Sequence, residues 1–165
     1  MSSLNHIFVQ GGKRMTEPEA TVQPERESVQ VLVIDDEPAV RNILAQALVT
    51  NGYFVYLADG TNVVESLDAR QYNLIITDLK MLGTDGLQVL ELAKKKSPKA
   101  RLIMITGYPS QESAQLCRKF GVARYLVKPF AVEEIRQVAR NVLESKSSGE
   151  EVLVGDREHQ RPDLL

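Results

Sequence analysis

Hydrophobic and polar positions follow two alternating rhythms along this chain. Five short runs are almost continuously apolar and rich in β-branched residues: VQVLVI (29–34), YFVYLA (53–58), NLIITD (73–78), RLIMIT (101–106) and ARYLVK (123–128). Runs of this kind predict strands buried on both faces. Between them the apolar positions fall three and four apart. Val40, Ile43, Leu44, Ala47 and Leu48 follow Pro38; Val63, Val64 and Leu67 lie within Thr61 to Arg70; Leu87, Leu90 and Ala93 lead into Lys94-Lys95-Lys96. A fourth helical stretch runs from Ser110 to Gly121, and Val132, Ile135, Val138, Ala139, Val142 and Leu143 draw the stripe of a fifth. Pro38 suits a first helical turn, Ser110 an N-cap, and Gly52 and Gly121 the left-handed position that closes a helix. Strand and helix therefore alternate five times between residues 29 and 146. That predicts an α/β domain, because parallel neighbours need crossovers and the crossover helices must cover the sheet.

The ends of the chain lack this rhythm. Residues 1–28 are predicted to be a mobile arm whose apolar cluster is Ile7, Phe8 and Val9, and residues 147–165 an acidic flexible tail. Of the 20 basic and 22 acidic residues, the first 28 positions hold 3 and 4 and the last 19 hold 2 and 5. The net charge of −2 thus averages a slightly basic middle with acidic ends. Such balance excludes a protein that coats nucleic acid or an anionic membrane. The single cysteine, Cys117, excludes an internal disulfide and fits a reducing compartment. No apolar run reaches the length of a membrane span, and the expected location is cytoplasmic.

In parallel sheets ligands bind beyond the carboxyl ends of the strands. Those ends carry Asp35-Asp36-Glu37, Asp78, Thr106 and Lys128-Pro129. Carboxylates from neighbouring strands repel unless a cation sits among them or one takes up a proton. A hard divalent ion meets that need, and Mg²⁺ is the expected one, since it retains waters and completes its shell with phosphate oxygens. A lysine ammonium and a hydroxyl beside it would hold an anion. The set points to a phosphoryl group on or near Asp78.

The motifs VLVIDDEP, LIITDLKM, LIMITGY and YLVKPF, in this order, resemble the receiver domain of two-component response regulators, the CheY-like fold. The resemblance covers residues 29–146. It implies a flavodoxin-like, doubly wound (βα)5 sheet of strand order 2-1-3-4-5. It also implies that Asp78 is the phosphoacceptor, that Asp35 and Asp36 organise Mg²⁺ together with Asp78 and the Lys80 main-chain carbonyl, and that Lys128 binds the phosphoryl group. Thr106 matches the switch hydroxyl and Tyr125 the switch aromatic, expected to turn inward once Asp78 is phosphorylated. The Lys128-Pro129 bond is expected to be cis. The donor would be a sensor histidine kinase or a histidine phosphotransfer protein, and the output a face formed by the fourth helix, fifth strand and fifth helix. Arg118, Lys119, Glu133 and Arg136 are the charges available there for a phosphorylation-dependent homodimer.

The chain departs from the family at Met81-Leu82-Gly83, where a proline is usual. Lys80 and Tyr108 are bulky residues at positions that govern water access to the phosphoryl group, and slow self-dephosphorylation is expected from them. With little sequence after Ser148, a stand-alone receiver that signals by protein–protein contact is expected, without direct DNA binding. It is not expected to be an enzyme beyond phosphotransfer to itself. The alternative is a docking module that keeps the fold without phosphorylation; the intact Asp35, Asp36, Asp78, Thr106 and Lys128 set argues against it. An aspartyl phosphatase would need an acid two residues after Asp78, where Lys80 stands. Gly11-Gly12-Lys13, His6 and His159 are read as tail residues, Cys117 as core, and Lys94-Lys95-Lys96 as a solvated helix end.

Overall fold

A computed structural model describes residues 28–82, 84–145 and 153–154 of the chain. The arm with Ile7, Phe8 and Val9, the tail residues His6 and His159, Gly11-Gly12-Lys13 and Gly83 lie outside the described residues. The strands are β1 (Gln30–Ile34), β2 (Phe54–Ala58), β3 (Leu74–Asp78), β4 (Arg101–Thr106) and β5 (Arg124–Val127). Their helices are α1 (Pro38–Thr50), α2 (Val63–Ala69), α3 (Gly86–Lys96), α4 (Gln111–Lys119) and α5 (Val132–Glu144). All pairings are parallel and the first five strands stand in the order 2-1-3-4-5.

Alternation along the central strands divides the core between the two faces. Leu32, Ile34, Ile75 and Met104 pack on one face with residues of α2, α3 and α4, while Val31, Val33, Leu74, Ile76, Ile103 and Ile105 pack on the other with α1 and α5. Each such fully buried aliphatic side chain contributes about 1.5–3 kcal/mol, which fixes the register and with it the level at which each strand ends. Cys117 is buried in the α4 face, and burial pushes its thiol up to about 11, so it packs as an apolar group and is a poor nucleophile.

Local signals act as expected at most boundaries. Gly52 and Gly121 take positive φ of 83° and 68° after α1 and α4, and Ser110 Oγ accepts from the Ser113 amide at 3.1 Å. Helix α2 is shorter than the span Thr61 to Arg70. The Asp59 carboxylate accepts from the Thr61 amide at 2.9 Å and the Thr61 hydroxyl at 2.6 Å, while Asn62 Oδ1 accepts from the Asp59 amide. This turn holds residues 59–62 out of the helix.

The sheet also has a sixth strand. Leu153–Val154 (β6), within the segment read as tail, pairs in parallel with Arg124 and Tyr125 at the β5 edge.

Candidate functional site

Register sets the site. Ile34 pairs with Thr77 and Asp78 with Ile105, so Asp35 and Asp78 leave their strands at one level, with Thr106 one residue further on β4. Main-chain bonds extend this order past the strand ends. The Asp35 amide donates to Ala58 O at 3.3 Å, Leu79 to Ile105 O at 3.0 Å and Lys128 to Thr106 O at 2.8 Å.

Lys128 is the centre of the arrangement. Its Nζ donates to Asp78 Oδ2 at 2.7 Å, Asp35 Oδ2 at 2.9 Å and Glu37 Oε1 at 3.2 Å. Asp35 is 1% and Asp78 6% exposed, so an ammonium here holds two desolvated charges and one solvated one. Burial alone would lower the Lys128 ammonium, but its bonds to Asp78 and Asp35 outweigh that and raise it. Desolvation likewise lifts the Asp35 carboxyl above its ordinary value, against the opposing pull of Lys128. Asp78 is fixed from its other oxygen, because Oδ1 accepts from the Lys80 amide at 3.2 Å. The Lys128–Pro129 peptide is cis.

The predicted metal residues are not all in one place. One oxygen from each of Asp35, Glu37 and Asp78 lies within 4.8 Å of the others. The Asp36 carboxylate instead accepts from the Leu82 amide at 2.9 Å, tying the acidic run to the loop after β3. Three hard oxygen donors at one point suit a divalent cation of the Mg²⁺ kind. Glu37 stands in the same acidic run as Asp35 but gives no sign in the sequence that it shares their space.

The predicted switch residues occupy the neighbouring strands. Thr106 is fully buried, and its Oγ accepts from the Tyr108 amide at 3.0 Å. Tyr125 is 1% exposed, with its hydroxyl 2.8 Å from Ser113 Oγ. The aromatic thus lies inward, the orientation that the resemblance assigns to the phosphorylated form. Above the site, Lys80 Nζ lies 5.0 Å from the centroid of the Tyr108 ring, a cation–π contact between the two bulky residues. Among the described residues, no helix is long and apolar enough to cross a membrane.

Comparison with known proteins agrees with this geometry. The chain is 27% identical over 119 residues to sporulation initiation phosphotransferase F of Bacillus subtilis, covering 72% of this chain and 96% of that protein. It is 30% identical over 118 residues to the nitrogen assimilation regulatory protein NtrX of Azorhizobium caulinodans, covering 70% of this chain but only 26% of the relative. Among solved structures, a CheY-like response regulator receiver domain protein from Methanospirillum hungatei superposes with a TM-score of 0.67 at 27% identity, covering 71% of this chain and 94% of that one. A response regulator from Burkholderia pseudomallei, with a phosphorylated aspartic acid, a calcium ion and citrate, gives 0.64 at 30% identity over 72% of this chain and 68% of its own. Residues 31–140 match the response regulator receiver domain family. That span contains every strand-end residue of the site, and the chain accordingly belongs to the receiver domains of two-component response regulators.

Proposed function

We propose that Asp78 accepts a phosphoryl group from a phosphohistidine of a sensor kinase or phosphotransfer protein, and that the chain signals through the surface formed by α4, β5 and α5. The observation that carries this reading is the Lys128 ammonium joined to Asp78, Asp35 and Glu37 at one strand-end level. Asp78 is held at both oxygens, which limits its carboxylate to few orientations and lowers the entropy of attack. An Asp78 oxygen attacks phosphorus, the P–N bond breaks and its electron pair stays on the imidazole. The product is an acyl phosphate whose oxygens face the Lys128 ammonium and the Thr106 hydroxyl. Asp35, Glu37, Asp78 and, from the family pattern, Asp36 and the Lys80 carbonyl would hold Mg²⁺, which when bound offsets charge on the phosphoryl oxygens. The step acts on the chain itself and involves no turnover of an external substrate.

The phosphorylated aspartate of the Burkholderia relative supports Asp78 as acceptor. The sporulation relative, matched over nearly its whole length and called a phosphotransferase, supports a receiver that works by itself and takes part in phosphotransfer. Incubation with acetyl phosphate and Mg²⁺ is expected to add one phosphoryl mass, lost in Asp78→Ala. An unmodified parent protein would leave the docking-module reading in its place.

Lys80 and Tyr108 set a second expectation. Their paired side chains stand on the two loops flanking Asp78 and restrict the approach of water. The double variant Lys80→Asn, Tyr108→Ala is expected to shorten the phosphoryl half-life about tenfold, an effect of about 1.4 kcal/mol on the barrier. An unchanged decay of the acid-labile phosphate would show that the pair does not shield the site.

A further inference from the structure

The loop between β4 and α4 is clamped at both ends by hydroxyls. At its start Thr106 Oγ accepts from the Tyr108 amide at 3.0 Å. Its other end is a box of two serines: Ser110 Oγ accepts from the Ser113 amide at 3.1 Å, and Ser113 Oγ accepts from the Ser110 amide at 3.2 Å. Ser113 Oγ also lies 3.0 Å from the Ser110 carbonyl and 2.8 Å from the Tyr125 hydroxyl.

The Ser110 and Ser113 hydroxyls also lie 2.9 Å apart, so Ser113 Oγ is the hub of the network, and either oxygen of the Ser113–Tyr125 pair can be the donor. We infer that Ser113 is a positioning residue for the switch: its hydroxyl latches Tyr125 inward and ties it to the loop that Thr106 moves.

The inference rests on the receiver reading and deepens it. When the Thr106 hydroxyl turns toward a phosphoryl group on Asp78, the Tyr108 amide follows or lets go, and the displacement runs through Pro109 to Ser110. There it meets the latch rather than a freely rotating ring. Tyr125 also lines a groove of about 560 Å³ with Gln115, Arg118 and Val127, so the latch sets the floor of that groove. A latch that favours the inward aromatic raises the population of the phosphorylated shape, and the affinity for a phosphoryl mimic rises in proportion to that population.

Removal should be asymmetric. Ser113→Ala leaves a 1% exposed phenol hydroxyl without its partner, whereas Tyr125→Phe leaves Ser113 its bonds to Ser110. A buried hydroxyl left without its partner costs more than a bond removed together with that hydroxyl.

Beryllofluoride titration with Mg²⁺, on the full chain, tests this. Ser113→Ala is expected to bind the mimic about 5-fold more weakly, Ser113→Thr to restore binding, and Tyr125→Phe to lose less than Ser113→Ala. In a Tyr125→Phe background, Ser113→Ala should add no further loss. Parent affinity in Ser113→Ala, or an undiminished loss in the Tyr125→Phe background, overturns the latch. NMR of the Tyr125 ring in the absence of any mimic separates the two levels of failure. If the parent does not bind beryllofluoride, the receiver reading fails, while a Tyr125 shift in Ser113→Ala but not Ser113→Thr still upholds the latch; no shift in either refutes it.

Discussion

Gly86→Ala is expected to unfold the site end of the molecule more than any other single methyl group added to it. A Cβ at this position would meet the Asp78 carbonyl oxygen far inside contact distance and the Leu79 Cα at 2.7 Å. Both obstacles are backbone, and the backbone there is pinned: the Gly86 amide donates to Leu79 O at 2.9 Å and Leu79 to Ile105 O at 3.0 Å. Side chains can rotate away from an added methyl; a strand end in a closed ladder cannot. The cost is expected to be about 3 kcal/mol or more, at the upper end of overpacking effects, seen as a fall in melting temperature of about 10 °C for a domain of this size. The variant should also accept phosphate from acetyl phosphate poorly even at temperatures where it is folded, because relief of the clash shifts Asp78 itself. A melting temperature equal to the parent's would show that the α3 start moves away freely.

Lys128→Met is the second large effect, and its signature is pH dependence. Removing one partner of a buried ion pair costs about 3–5 kcal/mol because it strands the other charge; here the lysine keeps 16% of its side chain exposed, so about 2–3 kcal/mol is expected at pH 7. The sign with pH follows from Asp35. Burial already holds its carboxyl above its ordinary value, and losing Lys128 removes the main opposing influence, raising it further. A carboxyl with a raised folded-state pKa contributes stability that is present below its unfolded value and lost as pH rises through the folded one. The variant should therefore approach the parent in thermal stability as pH falls from 7 toward 4, and diverge from it as pH rises. An equal gap at both pH values would place the destabilisation in packing and not in charge. Phosphotransfer should be lost at every pH, because the ammonium that meets the phosphoryl oxygens is gone.

The sheet was legible because its signals are local. Continuous β-branched runs bounded by Gly52, Gly121 and Pro98 announce buried strands and helix ends without knowledge of the rest of the chain. Asp35, Asp78, Thr106 and Lys128 were legible for a different reason: each directly follows or ends such a run, and a parallel sheet brings those ends together. What could not be read depends on side-chain choices made in three dimensions. Asp36 and Glu37 are adjacent acids, and only the position of the Leu82 amide decides which of them turns toward Asp78. Tyr125 and Ser113 lie twelve residues apart on different elements, and no periodicity links them. The shortened α2 reflects the competing turn at Asp59, in which side-chain acceptors outbid the first helical turn. β6 is two residues long within an acidic stretch, below the length at which alternation carries a signal.

The sixth strand also makes the two borders of the sheet unequal. A strand border is a template for further strands from other molecules, and chains usually blunt it with short strands, charge or proline. Among the described residues, the outermost strand on the β5 side is the two-residue β6, which offers a very short template. On the β2 side the outermost strand is five residues long, with Phe54 55% and Leu57 41% exposed. Any association of this chain by strand addition would thus begin at β2, across the whole sheet from α4 and Tyr125, and crowding of molecules there would leave the proposed output face unobstructed.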